Sequence, residues 1–184
     1  MTRRSSSIKP AFAEPPSGVR LAIDSLVQGA LVDLFNGYGV ALAPLPRASA
    51  ASATLPEISV GASFSNSGVV GRLTLAIPGP LLEHMKPGEA TSVRMDWARE
   101  LTNQLLGRIK NRLLPFGVRL EIGLLTLLDV SLLRHQLTDA AGLRIYLGRT
   151  LRGLVLVSAR GLPEDSSLSY VGGPTAPEGS LLWL

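Results

Sequence analysis

At 184 residues the chain is long enough for one domain with a substantial core and additional ends. Its 46% hydrophobic and 17% charged residues are those of a globular protein, and with aromatics at only 5% the core must be built from Leu, Val and Ala. The absence of cysteine excludes a disulfide framework, a thiolate metal site and a cysteine nucleophile, and a zinc site on the two histidines, His84 and His135, would need carboxylates to complete it.

No bound metal or cofactor is therefore expected. No apolar run reaches the roughly 18 to 20 residues that span a bilayer, and the opening Met1-Thr2-Arg3-Arg4-Ser5 leads into Pro and Ser. No membrane span and a cytoplasmic location are the expectations. The net charge of +4 is modest and the arginines are scattered from Arg94 to Arg160, a balance that suits an acidic protein partner and does not argue for nucleic acid.

In chain order, residues 1–17 carry Ser5-Ser6-Ser7, Pro10, Pro15 and Pro16 and read as a solvated arm. From Ser17 a helical spacing through Leu21, Leu26, Ala30, Leu31, Leu34 and Phe35 predicts a core-packing helix that Asn36-Gly37 stops. Residues 43–56 are rich in Ala, Ser and Pro without a period and read as a loop. Ile58, Val60, Ala62 and Phe64 alternate up to Ser65-Asn66-Ser67-Gly68, and Val69 to Ile77 follows as a second strand, which makes a hairpin. Pro78-Gly79-Pro80 opens a short helix, Leu81 to Met85, closed by Lys86-Pro87-Gly88. A long helix of about 24 residues begins near Thr91 or Ser92 and ends before Pro115-Phe116-Gly117. Val118 to Leu128 is a strongly apolar strand, and Leu143 to Leu147 is set to pair with Leu151 to Val157 across Gly148-Arg149-Thr150. The reading gives residues 18–160 as one domain and 161–184 as a tail or extension, with an α/β fold of long helices packed on a largely antiparallel sheet.

The long helix carries the functional signal. At about 100° per residue, with Asp96 at zero, Glu100 falls near roughly 40°, Asn103 near roughly 340° and Gly107 near roughly 20°. Ala98, Leu101, Leu105, Ile109 and Leu113 fall between roughly 140° and 260° on the opposite side. Four non-apolar residues thus form a narrow outward stripe. Gly107 inside a helix costs about 1 kcal/mol relative to alanine, and a flat spot there suits a closely approaching partner. By spacing alone, Asp96, Glu100 and Asn103 also fit an ordinary solvated face.

The pattern Asp96-x-x-x-Glu100-x-x-Asn103-x-x-x-Gly107 resembles the signature helix of the CheC/CheX/FliY chemotaxis phosphatases, with the glycine spacing most like CheX. The hairpin from Ile58 to Ile77, the segment Trp97 to Gly107 and the segment Gly117 to Thr126 are similar to successive CheX-like elements in order. Leu124-Leu125-Thr126 departs from the proline that this family often has before the threonine. The resemblance implies a CheC/CheX-like fold and a phosphatase for phosphorylated response-regulator receiver domains of the CheY type. Glu100 would pair with the receiver's lysine and Asn103 would orient the attacking water. Asp96, Arg99 and Gly107 would contact the partner, and the magnesium ion would belong to the receiver. Members of this family can dimerise through their sheets, so the resemblance also allows a homodimer. One site per chain is expected, because the first helix has Asp33 and Asn36 but no matching Glu.

The competing reading is a non-catalytic module of the same fold that binds a receiver or another signalling protein through this helix. Nucleic-acid binding through Arg108, Lys110 and Arg112 competes with the favourable placement of cations near a helix C-terminus. Ser/His/Asp catalysis on His84 or His135 lacks a Gly-x-Ser-x-Gly elbow.

Overall fold

The alternation of apolar side chains along residues 58–77 builds the centre of a six-stranded sheet, and the helical spacings on either side of it supply its cover. The computed structural model describes residues 23–46, 54–138 and 142–172. The sequence-predicted arm at 1–17, the first turn of the first helix and the end of the tail lie outside the described residues. Helix α1 (Ile23–Asn36) is followed by β1 (Ala43–Leu45), β2 (Ile58–Asn66) and β3 (Val69–Ile77), then α2 (Gly79–Met85) and the long α3 (Thr91–Leu113). β4 (Glu121–Leu128), α4 (Val130–Thr138), β5 (Arg144–Thr150) and β6 (Gly153–Arg160) complete the order. The strands run β1-β5-β6-β3-β2-β4, with every neighbouring pair antiparallel.

The hairpin forms where the sequence places it. Asn66 pairs with Val69, leaving Ser67-Gly68 as a two-residue turn with φ of 48° and 85°. Positive φ at both central positions gives the turn a twist that matches right-handed strands, and Gly68 takes it without a Cβ penalty. The alternate residues Val60, Ala62 and Phe64 of β2 and Leu73, Leu75 and Ile77 of β3 then share one buried face. Onto this face pack Val27, Leu31, Leu34 and Phe35 of α1 and Ala98, Leu101, Leu105, Ile109 and Leu113 of α3, all buried. Each fully buried Leu of that set contributes about 1.5–3 kcal/mol of transfer free energy.

A side-chain tie fixes α1 against α3. Arg112 near the end of α3 is ion-paired with Asp33 and donates from Nη1 to the Leu26 carbonyl at 3.3 Å. Gly29 makes room for it: a Cβ there would lie 2.5 Å from Arg112 Nη1. Asp33 is thereby committed to structure.

Three elements differ from the sequence reading. Ala43–Leu45, read as loop, forms the short edge strand β1 against β5. Its partners come from residues 147–149, about a hundred positions away, so no local period announces it. The segment after β4 is helical rather than unassigned: Asp129 caps α4 by accepting the Leu132 N–H at 2.7 Å and the Ser131 hydroxyl at 2.6 Å. Those bonds hold the Asp129 carboxyl below its usual range. Leu133 and Leu137 of α4, one turn apart, cover Ala76, Leu147 and Leu156 on the opposite face of the sheet. The β5–β6 turn falls at Leu151-Arg152 rather than at 148–150, because Thr150 Oγ1 accepts the Arg152 N–H at 3.1 Å and donates to the Gly153 carbonyl at 2.9 Å.

Beyond β6, residues 161–172 return across the helical face. Leu162 is buried in the main core, Asp165 accepts the Ile23 N–H at 2.8 Å at the start of α1, and the Val171 N–H bonds Pro115 O at 2.9 Å. Tyr146 donates to Asp24 at 2.9 Å beneath this segment, and burial together with that bond pushes its phenol well above the usual range. The far edge of the sheet is β4, where Ile122, Leu124 and Leu127 are exposed and Leu124 is 82% accessible. No helix of the described residues is long and apolar enough to cross a membrane.

If α3 owes its position to this core, Leu105→Ala, which empties a fully buried site, costs about 2–5 kcal/mol of unfolding free energy. Urea denaturation of parent and variant checks this, with the midpoint lowered and the slope unchanged.

Candidate functional site

Helical geometry and core packing together decide what α3 shows to the outside. With its apolar side chains committed to the sheet and α1, the residues half a turn away are left on the surface, and Asp96, Glu100 and Asn103 are all exposed. From Asp96 to Gly107 the stripe is about 16 Å long at 1.5 Å per residue. Glu100 and Asn103, three residues apart, lie on neighbouring turns and face the same way.

Gly107 continues the stripe as a gap in the side-chain layer. A Cβ built there meets nothing within 4 Å, so the fold itself does not require glycine at this position. Helix propensity would favour alanine.

The three side chains along the stripe have different attachments. Asp96 is ion-paired with Arg99 on the next turn, with the side chains 72% and 42% exposed. Such a pair contributes about 0–1 kcal/mol, little enough that either member can exchange it for a partner's charge. Glu100 accepts from Gln104 Nε2 at 2.7 Å through Oε1. The Asn103 side chain is exposed and makes no hydrogen bond to any described residue, which leaves its amide open for other use. The buried Thr102 beside it returns its hydroxyl to the Ala98 carbonyl at 2.8 Å and presents nothing to the surface.

On one flank of the stripe stand groups that the sequence reading missed or named only as neighbours. The Gln104 Oε1 accepts the Tyr38 hydroxyl at 2.7 Å. The Tyr38 ring meets Trp97 edge to face, with centroids 5.2 Å apart and planes at 82°. Lys86 Nζ lies 4.5 Å from the centroid of the Trp97 ring. Gln104 was legible as the residue one turn beyond Glu100; Tyr38, 66 positions away, had no local signal.

Among the described residues no group of three or more His, Cys, Asp or Glu side chains is placed to hold a metal ion. Arg108 and Lys110 sit near the C-terminal end of α3, and Arg112 is occupied by Asp33.

Neither a protein-family model nor a curated protein matches the chain. Solved structures do. CheX from Vibrio vulnificus superposes with a TM-score of 0.60 at 13% identity, covering 78% of this chain and 99% of that one. A CheC-like superfamily protein from Shewanella sp. PV-4 gives 0.59 at 14% identity, covering 76% and 96%. The chain has the CheC/CheX fold. A further structure of this fold, a complex of CheX with CheY, BeF3 and Mg2+ from Borrelia burgdorferi, matches with a TM-score of 0.50 at 11% identity over 75% and 94%. At such identities the likeness speaks for the fold.

Gly107→Ala separates stability from use. With open space for the methyl group, the substitution raises thermal stability by the equivalent of about 1 kcal/mol. The same variant binds its partner more weakly than the parent if the gap serves close approach, which calorimetric titration reads.

Proposed function

We propose that this protein is a phosphatase that hydrolyses the aspartyl phosphate of a response-regulator receiver domain. The observation that carries the reading is the shared outward exposure of Glu100 and Asn103 on α3, with the Asn103 amide free of described partners. The CheX-like fold adds support, since a CheX of this fold has been solved together with CheY and BeF3.

An acyl phosphate is already activated toward hydrolysis. The water oxygen forms a bond to phosphorus as the bond from phosphorus to the aspartyl oxygen breaks; the receiver's aspartate leaves as carboxylate and inorganic phosphate is released. What this demands of a protein is a water held in line with the leaving oxygen, which is a matter of position more than of acid–base strength. An amide suits the task because it offers an acceptor and a donor without adding negative charge beside the phosphoryl oxygens. Glu100, about 4.5 Å along the axis from Asn103, would pair with the receiver's lysine ammonium and set the helix in register over the phosphate. Asp96 and Arg99 would contact the receiver at one end of the stripe and Gly107 would admit its backbone at the other. The magnesium ion of such a reaction belongs to the receiver.

The test is the decay of acyl phosphate on receiver domains, with magnesium, in the presence of the parent and two variants. The parent accelerates decay; Asn103→Ala lowers turnover by about a hundredfold or more, in the range of lost positioning groups, while keeping most of the binding. Glu100→Ala weakens binding as well. Binding without acceleration by the parent on every receiver would replace the phosphatase by a docking module, and equal turnover in all three proteins would remove both roles.

A further inference from the structure

Glu100 is not a free side chain: the residue that holds it, one turn on along α3, is itself tied to another part of the chain. One of its oxygens, Oε1, takes a hydrogen bond from Gln104 Nε2 at 2.7 Å. With its donor end on the carboxylate, the amide has its carbonyl end free to accept from another group. That partner is the Tyr38 hydroxyl, which donates to Gln104 Oε1 at 2.7 Å. A flipped amide would set its carbonyl against the carboxylate and its NH2 against the phenol, losing the charge-assisted bond.

Tyr38 is itself held. It lies in the turn that closes α1, where Gly37, Tyr38, Gly39 and Val40 donate backbone bonds to Asp33, Phe35, Asn36 and Phe35 at 2.9–3.1 Å. Its ring abuts Trp97, one turn before Glu100 on α3, while its hydroxyl reaches Gln104, one turn after. The residue therefore spans the flank of the stripe beside Glu100. Among the described residues nothing bonds Oε2 of Glu100, which leaves it for an incoming cation.

We infer that Tyr38 and Gln104 are positioning residues that fix the Glu100 carboxylate for a receiver's ammonium group, an inference that rests on the proposed phosphatase reading. A carboxylate already held in one rotamer loses less freedom on docking than an unrestrained one, so the relay improves affinity for the phosphorylated receiver. It does not touch the water or phosphorus, so it leaves the hydrolytic step alone.

The experiment uses the full chain and the receiver whose phosphate the parent hydrolyses. Tyr38→Phe keeps the ring on Trp97 and removes only the hydroxyl; Gln104→Met keeps the length and removes both bonds. Each weakens binding of the beryllofluoride-loaded receiver and raises KM about three- to tenfold, the scale of one or two modest hydrogen bonds, with kcat within twofold of the parent. The deciding comparison is the double variant with Glu100→Ala, in which Tyr38→Phe has no further effect on Kd, because a positioning residue has nothing left to position. A Kd unchanged by Tyr38→Phe, or changed equally with and without Glu100, overturns the inference while leaving the phosphatase reading intact. A parent that neither binds nor dephosphorylates receivers overturns both.

Discussion

A helix can bury only one face, and in this protein that constraint organises everything else. Leu101, Leu105, Ile109 and Leu113 of α3 are driven against the sheet and α1 by their apolar surface, and this fixes the rotation of the helix about its axis. Once the rotation is fixed, Asp96, Glu100, Asn103 and Gly107 face outward together. The Arg112–Asp33 tie and the close approach allowed by Gly29 hold α1 alongside, which in turn sets Tyr38 against Trp97 and Gln104 of α3. Core and site are two sides of one helix.

The side chains on the outer face divide by how firmly they are held. Asp96 and Arg99 satisfy each other through a solvated pair that a partner can displace. Glu100 is restrained by a relay that starts in the turn after α1. Asn103 is left without a described partner, and Gly107 leaves open space. A gradient from restrained carboxylate to unengaged amide suits a surface that recognises a cation at one point and handles water at the next, which is what the proposed phosphatase reading asks of it.

Where local pattern determined structure, the sequence was readable. The alternation at 58–64 and the Ser67-Gly68 turn specify the β2–β3 hairpin, and the period of α3 specifies both its buried and its outward faces. The helix α4 was within reach, since Asp129 is a good cap and Leu133 and Leu137 lie one turn apart, but its short apolar stripe follows directly on an apolar strand and merges with it. β1 was not within reach, because three residues become a strand only through pairing with β5. The same limit applies at the site: Glu100, Asn103 and Gly107 share one helix and could be aligned from spacing, whereas the contribution of Tyr38 depends on tertiary packing of the α1 turn beside Trp97.

The central claim is that the outward stripe of α3 is where a phosphorylated receiver lands, and a residue-resolved footprint tests it most directly. Amide and side-chain NMR signals of the labelled protein, followed during titration with a beryllofluoride-loaded receiver and magnesium, report which surface is covered. The account predicts shifts concentrated at Asp96, Arg99, Glu100, Asn103 and Gly107 with an adjoining response at Tyr38 and Gln104, and none with the unloaded receiver at the same concentration. A footprint confined to the β4 edge or to α4, with the α3 stripe unmoved, would contradict it.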